Sequence, residues 1–140
     1  MSEVNILLVE DDEVDVKAVK RALRDLKIAN PVVRATDGID ALAMLRGENG
    51  RERLKRPYLI LLDLNMPRMG GLEFLAEVRN DPELRRSIVF VMTTSAVEED
   101  RFRAYDSHVA GYVLKHGPAS SFIDALTMLE HYWRVIEFPD

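Results

Sequence analysis

The stretch Pro57-Tyr58-Leu59-Ile60-Leu61-Leu62-Asp63-Leu64-Asn65-Met66-Pro67-Arg68-Met69-Gly70-Gly71 decides how the rest of the 140-residue chain is read. The apolar run 58–62 lies between turn-formers and is too short for a free-standing helix. That is the pattern of a strand buried on both faces of a parallel sheet. It stops at a carboxylate, Asp63. Asn65, Pro67 and the Gly70-Gly71 pair follow, residues that end a ladder and free the backbone. Open parallel sheets bind ligands at their strand C-termini, so an ionisable side chain planted there is a candidate site residue.

The same pattern recurs at 5–9, an apolar run that ends in Glu10, Asp11, Asp12 and Glu13, with Asp15 close behind. The spacing of Val16, Val19, Leu23 and Leu26 predicts a helix over about 13–27. Pro31 opens a short strand at 32–35, and Thr36, Asp37 and Gly38 cap a helix that turns Ile39, Leu42 and Leu45 inward. Residues 47–56 read as a polar surface connection. A third helix, roughly 72–80, is expected to bury Leu72, Leu75 and Val78, and a strand at 88–92 then delivers Thr93, Thr94 and Ser95 to its edge. A helix over 97–107, a strand at 110–114 ending in Lys115, a helix over about 119–135 and a tail at 136–140 complete the chain.

Strands alternating with helices in this way predict an α/β fold with right-handed crossovers. The expected architecture is a flavodoxin-like, doubly wound, five-stranded parallel sheet of order 2-1-3-4-5, with helices on both faces. A single domain is expected over 1–140, with a core from about 4 to 135. Strands 1 and 3 flank the topological switch point of that order. Glu10, Asp11 and Asp63 therefore meet there, and Thr93 and Lys115 come to the same rim.

Composition excludes several classes. The net charge of −5, with no Lys/Arg block, argues against a nucleic-acid surface. With no cysteine there are no disulfides, thiolate zinc sites or thiol nucleophiles. No apolar run approaches the roughly 20 residues of a membrane span. Strand-like residues begin within five positions of the N-terminus, so no signal peptide is expected and a cytoplasmic protein is the default.

Carboxylates crowded together share protons or bind a hard divalent cation. Mg²⁺ takes one or two carboxylates, keeps several waters and completes its shell with phosphate oxygens. Asp63 can then act as a nucleophile towards phosphorus. Lys115 is a point charge able to hold a phosphoryl oxygen, and Thr93 a hydroxyl donor to another, with Thr94 its rival. The implied reaction class is phosphoryl transfer to an aspartate.

With these residues in place, the chain resembles a receiver domain of a two-component response regulator over nearly its whole length. The resemblance rests on Glu10-Asp11, Asp63-Leu64-Asn65-Met66-Pro67 with Gly70-Gly71, Thr93, and Tyr112-Val113-Leu114-Lys115, in order and at the correct strand ends. It implies that Asp63 accepts a phosphoryl group from a histidine-kinase phosphohistidine. It further implies that Asp11, Asp63 and the Asn65 carbonyl ligate Mg²⁺, with Glu10 acting mainly through water. Lys115 would contact the phosphoryl group, Thr93 would swing towards it and Tyr112 would change rotamer. The output would be a shift of the face built from the fourth and fifth strands and the helices after them. Such a domain would be a signalling protein whose only chemistry is on itself.

Thr93-Thr94-Ser95, the run 104–109, the long 47–56 connection and Tyr132-Trp133 before a Pro139-containing tail resemble single-domain regulators paired with phytochrome-type histidine kinases. The chain stops soon after the last helix, so no DNA-binding output domain is expected. One position departs from the family pattern: His116 follows Lys115 where these domains usually carry proline. The loop into the last helix is left open on that account.

Other readings stand beside this one. A haloacid-dehalogenase-like phosphatase also uses a strand-end Asp, Mg²⁺ and a Lys, but it wants an Asp where this chain has Asn65. A flavodoxin-like nucleotide binder would need a Ser/Thr/Gly-rich loop where this chain has four acids. A receiver-like domain that no longer takes phosphate is opposed by the full set Asp11, Asp63, Thr93 and Lys115. Asp12, Glu13 and Asp15 are read as anions at a helix N-terminus, and His108, His116 and His131 as surface or edge residues. In the last helix Phe122, Leu126, Leu129 and Trp133 make a core face. Met128, Tyr132 and Val135 widen the apolar arc, which points to a homodimer contact made with Trp133 and the tail, the alternative being a deeper core under the 47–56 connection.

Overall fold

The computed structural model describes residues 4–64, 69–93 and 109–114. Asn65, Lys115, the segments expected to be helical over 97–107 and 119–135, and the tail lie outside the described residues. So do Met128, Tyr132, Trp133 and Val135.

Within the described residues the order is β1 (Asn5–Val9), α1 (Glu13–Asp25), β2 (Val32–Ala35), α2 (Gly38–Arg46), β3 (Tyr58–Asp63), α3 (Gly71–Asn80), β4 (Ile88–Thr93) and β5 (Gly111–Leu114). The five strands form one sheet of order β2-β1-β3-β4-β5, and every neighbouring pair is parallel. This is the expected order, with the switch point between β1 and β3.

Because side chains alternate along a strand, the sheet supports two cores. On one face Leu7, Val9, Ile60, Leu62, Val89 and Val91 pack against α2 and α3. On the other, Ile6, Leu8, Leu59, Leu61, Phe90, Met92 and Val113 form a cluster with Val16, Val19 and Leu23 of α1. Helices on both faces explain why β1 and β3 are uninterrupted apolar runs.

The helix ends follow from local chemistry. Asp12 caps α1, its carboxylate accepting from the Val14 and Asp15 amides at 2.8 and 3.4 Å. Asp37 caps α2 by accepting from the Asp40 amide at 2.8 Å, and Gly47, at φ 70°, terminates it in the left-handed conformation.

Two inward assignments are corrected. Ile39 is 40% exposed and Leu72 39% exposed. In α3 the buried stripe is Gly71, Phe74, Leu75 and Val78, at steps of 3, 1 and 3 that leave Leu72 at its margin. In α2 the core is met by Ala41, Leu42, Met44 and Leu45, which leaves Ile39 at the first turn beside solvent.

At the opposite end of the sheet, before β3 and β4, a groove of about 560 Å³ is lined by Arg53, Arg56, Pro82, Glu83, Arg85 and Arg86. Arg53 pairs with the Glu83 carboxylate at 3.2 Å, and Arg56 donates to the Glu83 carbonyl at 2.6 Å. Among the described residues no helix is long and apolar enough to cross a membrane.

Candidate functional site at the C-terminal edge of the sheet

The pairing of Val9 with Leu62 brings the residues that follow them, Glu10 and Asp63, level at the switch point. Their neighbours two residues back, Leu8 and Leu61, belong to the core under α1, so alternation directs both acids to the α1 face. Asp11 joins them from the turn. One carboxylate oxygen from each of Glu10, Asp11 and Asp63 lies within 4.8 Å of the others. Glu10 and Asp63 are 0% and 2% exposed, whereas Asp11 is open to solvent.

The five acids after β1 are thereby divided by task. Glu10 and Asp11 enter the cluster, and Glu10 also accepts from the Asp12 amide at 3.3 Å. Asp12 serves as the helix cap. Glu13 pairs with Arg34, whose hydrogen bond holds its carboxyl below the ordinary carboxylate range. Asp15 is buried on α1.

Arg34, which the sequence reading did not single out, and Gly71, which it took only as a turn glycine, shape this edge. Arg34 of β2 donates from Nε to the Glu10 carbonyl at 3.1 Å and from Nη2 to the Asp11 carbonyl at 3.0 Å. The available signal was a lone charge inside an otherwise apolar four-residue strand. Gly71 lies so close to the end of β3 that a Cβ there would stand 2.8 Å from the Leu64 Cα and 2.9 Å from the Asp63 carbonyl oxygen. Its role in the Gly70-Gly71 turn was legible, but this contact was not.

Thr93 ends β4 one residue beyond Met92, the partner of Asp63, and pairs with Leu114 of β5. Lys115 is the next residue in the chain. Tyr112 is half-buried and packs against the core beneath α2 and α3, outside the carboxylate cluster.

The cluster fits a hard divalent cation. Three carboxylates, two of them shielded from water, repel one another unless a cation or proton is shared. Metal–oxygen bonds of about 2.1 Å place ligand oxygens of one octahedral ion roughly 3–4.2 Å apart. The observed spacing is within a small adjustment of that, or of one intervening water.

The model of the response regulator receiver domain matches residues 6–127. The chain belongs to the response regulator receiver family. Among similar members of this family, response regulator Rcp1 of Synechocystis sp. is 38% identical over 91% of this chain and 87% of its own length. The bacteriophytochrome response regulator RtBRR superposes with a TM-score of 0.88 at 35% identity, over 99% of this chain and 85% of that one. The phosphorylated cyanobacterial phytochrome response regulator RcpA gives 0.75 at 38% identity, over 99% and 100%. Receiver domains bind a divalent metal. A structure of Rcp1 holds Mn²⁺ and superposes here with a TM-score of 0.73 at 35% identity, over 98% and 99% of the two chains.

Proposed function

We propose that this receiver domain takes a phosphoryl group onto Asp63 from the phosphohistidine of a histidine kinase of the phytochrome type. The observation that supports this reading is the burial of the Asp63 carboxylate within 4.8 Å of Glu10 and Asp11 at the strand ends. The similarity to phytochrome response regulators favours that class of kinase. The cation assigned by this reading is Mg²⁺, which Asp11, Asp63 and the Asn65 carbonyl would hold directly and Glu10 through water. When bound, Mg²⁺ neutralises charge on the phosphoryl oxygens in the transition state.

The residues divide the remaining work. An Asp63 carboxylate oxygen attacks phosphorus as the bond from phosphorus to the kinase imidazole nitrogen breaks. The electron pair returns to that nitrogen, which takes up a proton from solvent, and an acyl phosphate is left on Asp63. Lys115 and the Thr93 hydroxyl hold phosphoryl oxygens, and Tyr112 changes rotamer as they close. The protein is a switch rather than an enzyme acting on other substrates, and the added charge biases a two-state face read by partners. It works in the cytoplasm and pairs with a second copy through Met128, Tyr132, Trp133 and Val135.

Intact-mass spectrometry after incubation with Mg²⁺ and acetyl phosphate tests the reading. Wild type is expected to gain one phosphoryl adduct that chelation prevents, that Asp63→Asn abolishes and that Asp11→Asn weakens. No adduct on wild type, or an adduct that persists in Asp63→Asn, would overturn it.

A further inference from the structure

The end of β1 poses a backbone problem that Arg34 solves. The ladder to β2 closes with the Glu10 amide donating to the Ala35 carbonyl at 3.1 Å. Beyond it β2 ends at Ala35 and gives way to the Asp37 cap of α2, so the strand-to-strand ladder stops there. The Arg34 guanidinium takes that place, with Nε on the Glu10 carbonyl at 3.1 Å and Nη2 on the Asp11 carbonyl at 3.0 Å. Its remaining nitrogen, Nη1, pairs with the Glu13 carboxylate. The side chain is 21% exposed, against 70% for Glu13.

The consecutive residues held by this one planar group are the two that bring carboxylates to Asp63 from β1. A guanidinium offers several donors in a fixed fork, so it can fix two successive carbonyls at once. An ammonium is a single point and cannot hold the same pair in the same geometry. Glu13 balances the cation, so the turn is fixed without adding net positive charge beside a site that must attract a divalent ion.

We propose that Arg34 is a positioning residue for the metal-binding acids. It locks the Glu10–Asp11 turn so that both carboxylates face Asp63 before any cation arrives. This rests on reading the Glu10, Asp11 and Asp63 cluster as the metal site.

The test is direct Mn²⁺ binding, with free ion counted by electron paramagnetic resonance and Mg²⁺ as competitor, so no phosphorylation is involved. Wild type, Asp11→Asn, Arg34→Ala and Arg34→Lys are compared, each melted thermally without metal. Loss of a group that orients metal ligands typically weakens binding about 10–100-fold. Arg34→Ala is expected to bind at least about tenfold more weakly, and Arg34→Lys, which keeps the charge and stem, to fall with it. Lysine restoring wild-type affinity would overturn the proposal, since charge alone would then suffice. Alanine binding as tightly as wild type would overturn it as well. If Arg34→Ala does not fold, the lysine variant decides. Wild type failing to bind Mn²⁺, or Asp11→Asn binding unchanged, would instead sink the metal-site reading beneath it.

Discussion

Adding a single carbon at Gly71 would place a Cβ 2.8 Å from the Leu64 Cα and 2.9 Å from the Asp63 carbonyl oxygen. Backbone cannot give way as a flexible side chain can, so α3 or the end of β3 must move. Gly71→Ala is therefore expected to cost about 1–3 kcal/mol, typical of overpacking. Urea unfolding measures the loss, and phosphorylation of the variant by acetyl phosphate should slow because Asp63 shifts with its own carbonyl. Unchanged stability and rate would show that the contact relaxes freely. At this scale the acids were legible because a carboxylate directly after a buried apolar run has one place to go. Gly71 and Arg34 were less so. Their roles are set by what lies across a helix–strand contact or a strand pair, and one-dimensional spacing does not carry that information.

Helices and strands carried their own signals unevenly. Asp37 caps α2 as expected, Asp12 proves to be the cap of α1 rather than only an anion near its start, and the strand cores stand close to where periodicity put them, with boundaries differing by a residue or two. Ile39 and Leu72 were misjudged because an apolar residue in the first helical turn fits several wheel orientations, and packing chooses among them. A further tie between elements is visible only in three dimensions. Arg46 at the end of α2 reaches Asp81, just past α3, at 3.1 Å, and Glu77 within α3 at 3.5 Å. The Asp81 carboxyl lies below the ordinary range, first because it accepts from the Glu83 amide and then because Arg46 adds its charge. A carboxyl depressed in the folded state adds stability above its unfolded pKa, and that contribution is lost as pH falls through the folded value. Thermal melts of Asp81→Asn against wild type should thus differ at neutral pH, begin to draw together below about pH 4 and meet once pH is under the folded value. A gap that stays constant through the acid range would contradict this account.

For the molecule as a whole, the two-faced sheet was implied by strands with no polar alternation, and the strand order followed from the number of units. The apolar surplus of Met128, Tyr132, Trp133 and Val135 exceeds what one sheet face needs, and a protein contact through it is expected. Sedimentation of the full chain against one ending at Tyr132 should show a dimer for the first and a smaller species for the second. Equal masses would remove the tail from the interface. The arginine groove before β3 and β4 has a consequence of its own. It sets positive charge at one end of a molecule whose other end holds three clustered carboxylates, across strands about 20 Å long. A charged partner would therefore meet arginines at one end of the described sheet and carboxylates at the other. An acyl phosphate on Asp63 would add negative charge at the carboxylate end alone, so a partner would read the phosphorylated state as a change of field as well as of shape.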